Sequence, residues 1–367
     1  MPHLSLPIPA EAPAPAPASA LSSAQADLSA CRELLRNGSR TFLAASLLLP
    51  RAVHEPACAL YAFCRMADDA VDQPSRHADA VARLRERLHL AYAGTPLPMA
   101  ADRALAGVVA RFAIPRALPE ALLEGFEWDA AGRRYESFDD VCDYAARVAG
   151  AVGAMMALLM GVRSAEAVAR ACDLGVAMQL SNIARDVGED ARMGRLYLPR
   201  QWLREAGIDP DGWLAQPVFS AELGQVVQRL LNAADVLYQR VGAGVALLPL
   251  ACRPGINAAR FMYADIGHEV QRRGLNSVDQ RAVVSPSRKL QLVLRSLLVL
   301  QPTHPRTALP PSACTRYLVE AASSVASPRH TAMRWWNLKQ RAIWTLELFE
   351  RLERRDRHPM RGTAGVT

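Results

Sequence analysis

Apolar residues recur at spacings of three and four along most of this chain, and alternation at two never persists, so the pattern predicts helices and no strand. The predicted helices cover 25–36, 53–73, 78–92, 101–112, 120–131, 138–161, 165–187, 221–240, 245–251, 255–273, 286–300, 315–322 and 333–354. Asn37-Gly38 ends the first of them, and Ser39 is placed to cap a short helix through Phe42 and Ser46. Pro56 is expected in the first turn of the helix that follows. Residues 193–199 read as a non-helical link. The expectation is an all-α, single-domain helical bundle over 25–355, preceded by a disordered Pro/Ala-rich leader (1–24) and followed by a flexible tail (356–367). The leader lacks a basic start and a continuous apolar core, so it is not read as a secretory signal.

One stretch breaks the apolar pattern. In Gln179-Leu-Ser-Asn182-Ile-Ala-Arg185-Asp186-Val-Gly-Glu-Asp190 the residues Asn182, Asp186 and Asp190 stand at i, i+4 and i+8, which puts three oxygen-bearing side chains along one helix face with Arg185 beside them. A second row occurs in Tyr61-Ala-Phe-Cys-Arg65-Met-Ala-Asp68-Asp69-Ala-Val-Asp72, where Asp68 and Asp72 repeat at i, i+4 behind Arg65. A single such row reads as a solvated face. Two rows set in apolar sequence need a cation, because unpaired carboxylates on a buried face are costly. Magnesium shared between protein oxygens and a substrate's phosphates suits them, with arginine forks taking the remaining phosphate oxygens. Asp139 and Asp143 form a third pair, but they fall in the first turns of a helix, where acidic groups serve the helix dipole. Gly150 and Gly153 mark a close approach to the backbone, by a long apolar ligand or by another helix.

Composition narrows the partners. The 367 residues are 51% hydrophobic and 22% charged, with a net charge of +7. Of 43 basic residues only Lys289 and Lys339 are lysines, a bias that fits a GC-rich genome better than selection for one ligand. No basic run is interleaved with aromatics, which excludes nucleic acid as the expected partner. The seven cysteines form no CxxC pair and read as small apolar residues of a reducing cytoplasm. The longest uncharged apolar run, 148–162, is shorter than the roughly 20 residues of a membrane span. Segment 333–354, with Trp335, Trp336 and Trp344 among arginines, suits either a membrane interface or a helix packed on the bundle.

Several motifs taken together resemble the squalene/phytoene synthase family, and within it the bacterial phytoene synthases. They are Ser39-Arg-Thr41-Phe42, the 61–72 and 179–190 rows, Tyr144 with Val148-Ala-Gly-Ala-Val-Gly153, Gly194-Arg195-Leu-Tyr197-Leu-Pro199 and Tyr263-Ala-Asp-Ile-Gly267, and the resemblance covers about 28–355. It implies an isoprenoid-synthase bundle around a deep apolar cavity and head-to-head joining of two prenyl diphosphates through a cyclopropyl diphosphate. By matching position it implies Asp68, Asp72, Asn182, Asp186 and Asp190 on the metal side. Ser39, Thr41, Arg65, Arg185, Arg195 and Tyr197 would meet the diphosphate, and Tyr61, Tyr144, Gln179 and Tyr263 would lie near the reacting carbons. The implied cofactor is Mg2+, with Mn2+ as the alternative ion, and no NAD(P)H is expected for phytoene synthesis. The implied partners are the prenyl diphosphate, a peripheral membrane surface on the cytoplasmic side and a downstream desaturase. The competing readings are squalene or dehydrosqualene synthesis from farnesyl diphosphate and a non-catalytic scaffold of the same fold.

Overall fold

A computed structural model describes residues 18–38, 40–71, 77–299 and 309–324. Its fifteen α-helices, among those residues, are α1 (Ala18–Gly38), α2 (Arg40–Ser46), α3 (Arg51–Val71), α4 (His77–Tyr92), α5 (Ala100–Phe112), α6 (Ala117–Ala130), α7 (Phe138–Ala145), α8 (Ala151–Leu159), α9 (Ala165–Arg192), α10 (Arg200–Glu205), α11 (Pro210–Ala215), α12 (Ala221–Gly244), α13 (Arg253–Arg272), α14 (Pro286–Leu298) and α15 (Arg316–Ser323). No strand occurs among the described residues. The predicted segment 333–354 lies outside them.

The long helix α9 is the axis of the bundle, packed against α8, α12, α13 and α15. Glu166 in its first turn and Arg192 in its last complement the helix dipole. It stops because Gly194 adopts a left-handed conformation (φ 74°). The Arg195 and Gly194 amides then return to the carbonyls of Asp190 and Ala191, both at 2.9 Å.

Against α9 runs α8, joined to α7 by a π-helical turn, Ala146–Gly150. A Cβ on Gly153 would collide with the carbonyl of Ala171, and one on Gly175 with the carbonyl of Ala149. These two contacts make α8 and α9 antiparallel at nearly backbone contact. Of the two explanations for the glycine run, helix packing is therefore the one observed at Gly153. By length and composition the stretch Phe138–Leu159 is apolar enough to cross a membrane, but 61% of its apolar window is buried inside the bundle. The acidic start of α7 serves the helix: Ser137 accepts from the Asp140 amide at 3.2 Å, and the Asp140 carboxylate accepts from the Ser137 amide at 2.8 Å.

Four expectations change. The first helix begins at Ala18, ahead of Gln25, so the alanine-rich end of the expected leader is helical, as alanine's propensity favours. Helix α3 starts at Arg51, because the Pro50 carbonyl already accepts from Val53 and His54. Pro56 then sits inside the helix and removes the i+4 donor of Ala52, which lies on the exposed side where water can substitute. The expected helix 245–251 is two 3-10 turns, Val245–Leu247 and Leu250–Cys252. Pro249 separates them by forcing Leu248 into extended conformation (φ −84°, ψ 153°). Finally, α10 and α11 were not anticipated, although Asp209-Pro210 is a cap followed by an N1 proline and Asp209 accepts from the Gly212 amide at 2.9 Å.

The Gly175→Ala substitution tests the α8–α9 contact. Its methyl would meet backbone on the facing helix, not a side chain free to turn away. A loss of about 1–3 kcal/mol is expected from overpacking, read as a lowered midpoint in urea unfolding.

Candidate active site

Helix α3 carries Tyr61, Arg65 and Asp68, and α9 carries Gln179, Asn182, Arg185, Asp186 and Asp190. Ser39 and Asp72 lie outside the described residues, while Thr41, half-buried, opens α2 next to Phe42, whose ring stacks on Tyr61 with centroids 5.5 Å apart. Arg65 turns back on its own helix, pairing with Asp69 at 2.5 Å and Asp68 at 3.5 Å. On α9, Asp186 receives two arginines. Arg185 donates through Nε at 2.7 Å and Nη2 at 2.5 Å, and Arg281 through Nε at 2.9 Å and Nη2 at 3.4 Å. Burial opposes the Arg185 charge, but the Asp186 carboxylate outweighs it and its pKa is raised.

Arg281 was not singled out from the sequence. It comes from the loop after α13, which docks on α9 at Gly188. A Cβ there would collide with the Val278 backbone, and the Gly188 amide donates to the Ser277 carbonyl at 3.0 Å. The loop is preformed by Asn276, whose side-chain oxygen accepts from the amides of Val278 (3.2 Å) and Asp279 (3.1 Å). An isolated glycine two residues after Asp186 was the available signal.

Two oxygens at this mouth lack compensation. Asn182 Oδ1 is buried with no hydrogen-bond partner. Asp190 has its pKa pushed up to about 8, first by burial and then by the charge of Asp186, with Arg195 acting in the other direction. An orphaned amide oxygen and a carboxylate under pressure to protonate, each one turn from Asp186 on the same helix, fit a hard divalent cation. Among the described residues no group of three His, Cys, Asp or Glu side chains forms a metal cage alone. The described donors therefore do not close a cage by themselves. Tyr263 on α13 joins the two rows: its phenol acts electrostatically on both Tyr61 and Arg185. Burial, ahead of the neighbouring charges, pushes the Tyr61 phenol up to about 12, so it stays neutral.

Behind this mouth is an apolar cavity of about 330 Å³ between α2, α3, α8, α9, the end of α12 and α13. Tyr61, Gln179, Asn182 and Tyr263 line it near the charged rows, and Phe42, Ala45 and Ser46 form the α2 wall. Its far end lies at Met160, Ala167 and Arg170. The wall from Asn182 to Ala167 spans 15 residues of α9, or roughly 22 Å at about 1.5 Å per residue.

Two expected residues are elsewhere. Tyr144 and Tyr197 are buried and both donate to Asp129, at 2.9 Å to Oδ2 and 2.7 Å to Oδ1. Their rings stack 5.0 Å apart, with Tyr135 against both. The Tyr197 phenol is therefore committed to Asp129, a half-buried carboxylate that takes both tyrosine donors, and not to the mouth. With Asp190 and Arg195 it lines a separate depression of only about 10 Å³. Asp129, which organises the cluster from the end of α6, was missed because a lone Trp-Asp pair carries no spacing signal.

The model of the family described as squalene/phytoene synthase matches residues 35–288. A phytoene synthase of Cereibacter sphaeroides is 58% identical over 277 residues, covering 73% of this chain and 78% of that protein. One from Rhodobacter capsulatus is 53% identical over 308 residues, covering 82% and 91%. Among solved structures, a dehydrosqualene synthase in complex with ligand aligns with a TM-score of 0.71 and 31% identity, covering 76% of this chain and 98% of that one. The all-α bundle, the paired acidic rows and the matched span agree, and the chain belongs to the squalene/phytoene synthase family.

Proposed function

We propose that this protein joins two molecules of geranylgeranyl diphosphate head-to-head, through a cyclopropyl diphosphate, to phytoene. The family uses prenyl diphosphates and is generally dependent on a divalent metal. The observation that carries the reading is a roughly 22 Å apolar wall that begins at a mouth of carboxylates and arginines. An isoprene unit adds roughly 5 Å by extended-chain geometry, so four units need about 20 Å and three about 15 Å. The wall suits the longer chain. The phytoene synthases among its relatives support the same product.

Asp68, Asp72, Asn182, Asp186 and Asp190 would hold Mg2+, which supplies neutralisation of the diphosphate as it departs. Arg65, Arg185 and Arg281 take diphosphate oxygens, exchanging carboxylate partners for phosphate ones. By the family resemblance, Ser39, Thr41 and Arg195 would contribute further donors to the diphosphate. The faces of Tyr61 and Tyr263 stand beside the reacting carbons and stabilise the allylic cation, while the dry wall excludes water that would quench it. Tyr144 and Tyr197 act through Asp129, tying α7 and the link after α9 to the end of α6. Because the product is a hydrocarbon, release into a peripheral membrane surface and transfer to a downstream desaturase follow from its insolubility.

Two substitutions test this reading. Asp186→Asn keeps the shape but halves the acceptor capacity facing two arginines, and a drop in kcat of roughly 100-fold or more is expected, with an unchanged circular dichroism spectrum. Near-wild-type turnover in the folded variant would remove the metal assignment. Ser46 is buried on the cavity wall, so Ser46→Phe should fill the space used by the last isoprene unit and shift preference towards farnesyl diphosphate. Incubating wild type and variant with Mg2+ and each diphosphate, then identifying hydrocarbons by mass, reads the shift directly. C30 product without C40 product from the wild type would replace the substrate while leaving the chemistry.

A further inference from the structure

The cavity ends at Ala167, roughly 22 Å along α9 from Asn182, and that end is also lined by a charged side chain, Arg170, that the chemistry at the mouth does not use. Arg170 is 5% exposed. Its Nε lies 3.1 Å from the Asp173 carboxylate as an ion pair without hydrogen-bond alignment, and its Nη2 donates to the Pro310 carbonyl (3.0 Å). Asp173 is fully buried and also accepts from Arg240 (3.0 Å) and from Ser312 (2.8 Å), while Arg240 donates to the same Pro310 carbonyl at 2.8 Å. The guanidinium is thus held by these partners; Arg170 lines the cavity, and with its tip engaged the methylene stem is the part left to form that lining. Gly244, at the end of α12, makes this crossing possible: a Cβ there would collide with Cβ and Cγ of the Arg170 stem.

Helical side chains lean towards the helix N-terminus, so the Arg170 stem covers the wall over Ala167. A floor of leucine or methionine gives way by changing rotamer. A stem tied at its tip to a buried carboxylate and a backbone carbonyl cannot do so without breaking an ion pair away from water. We propose that Arg170 is the specificity-determining residue for the upper limit of prenyl chain length, a fixed floor that admits four isoprene units and rejects a fifth. The inference rests on the reading that a prenyl diphosphate fills the cavity.

Competition between the C20 and C25 diphosphates, with products weighed by mass spectrometry, tests it. In Arg170→Ala, where Asp173 keeps Arg240 and Ser312, the C25 to C20 ratio of kcat/KM should rise at least tenfold, since even one methylene is discriminated by roughly 10–200-fold in an apolar pocket. An unchanged ratio in the active variant overturns the proposal. If Arg170→Ala is not recovered folded, Ala167→Leu decides: raising the same floor from the side should lower use of the C20 relative to the C15 diphosphate at least tenfold, and an unchanged ratio again overturns it. Failure of the underlying substrate reading shows differently, in the wild type, as absence of hydrocarbon from any of the three diphosphates.

Discussion

Carboxylates placed on a largely buried helix must be compensated, and much of this structure follows from how that is done. Asp186 is met by Arg185 from its own helix and by Arg281 from a loop that contacts α9 through the gap left by Gly188. The loop has to come close because a guanidinium cannot bond bidentately across a side-chain layer. Asp190, one turn further, gets only partial relief from Arg195 and so lies under pressure to take up a proton. The residual deficit of positive charge at the mouth is the property a metal–diphosphate complex would answer.

The same helix satisfies a second demand. Its N-terminal half carries small residues, and Gly175 lets the backbone at Ala149, just ahead of α8, come to main-chain contact beside the cavity. Small side chains on both helices leave volume that other elements do not fill, and that volume is the cavity. One helix therefore fixes the charged mouth and the apolar length behind it, at a ratio set by the 1.5 Å rise per residue.

What was legible in the sequence follows from the same division. Helical period and acidic rows at i, i+4 are local signals, so Asp68, Asn182, Asp186 and Asp190 were found on the helices that carry them. Contacts made by loops far away in sequence leave no period, and Arg281, 95 residues from its partner Asp186, could be seen only folded. Asp129 escaped for the same reason, since its meaning lies in two tyrosines 15 and 68 residues away. Although Pro56 is accommodated inside α3, Pro249 argues against a continuous helix over 245–251, because the residue before a proline is biased away from helical conformation, as Leu248 shows. Periodicity outvoted it wrongly.

The apolar channel has arginine–aspartate pairs at both ends, and their burial separates what each can do. At the mouth the α3 side chains are open to water, Arg65 at 41%, Asp68 at 46% and Asp69 at 51% exposure. Pairs so exposed contribute about 0–1 kcal/mol and exchange partners readily, which a site that must grip and release diphosphate requires. At the floor, the side chains of Asp173 and Arg170 are 0% and 6% exposed, and separating them would strand a charge in an apolar interior. The same two residue types thus form a labile grip where water reaches them and a rigid stop where it does not. In the proposed binding mode, diphosphate outward and hydrocarbon inward, that difference in solvation would set the direction in which the substrate enters.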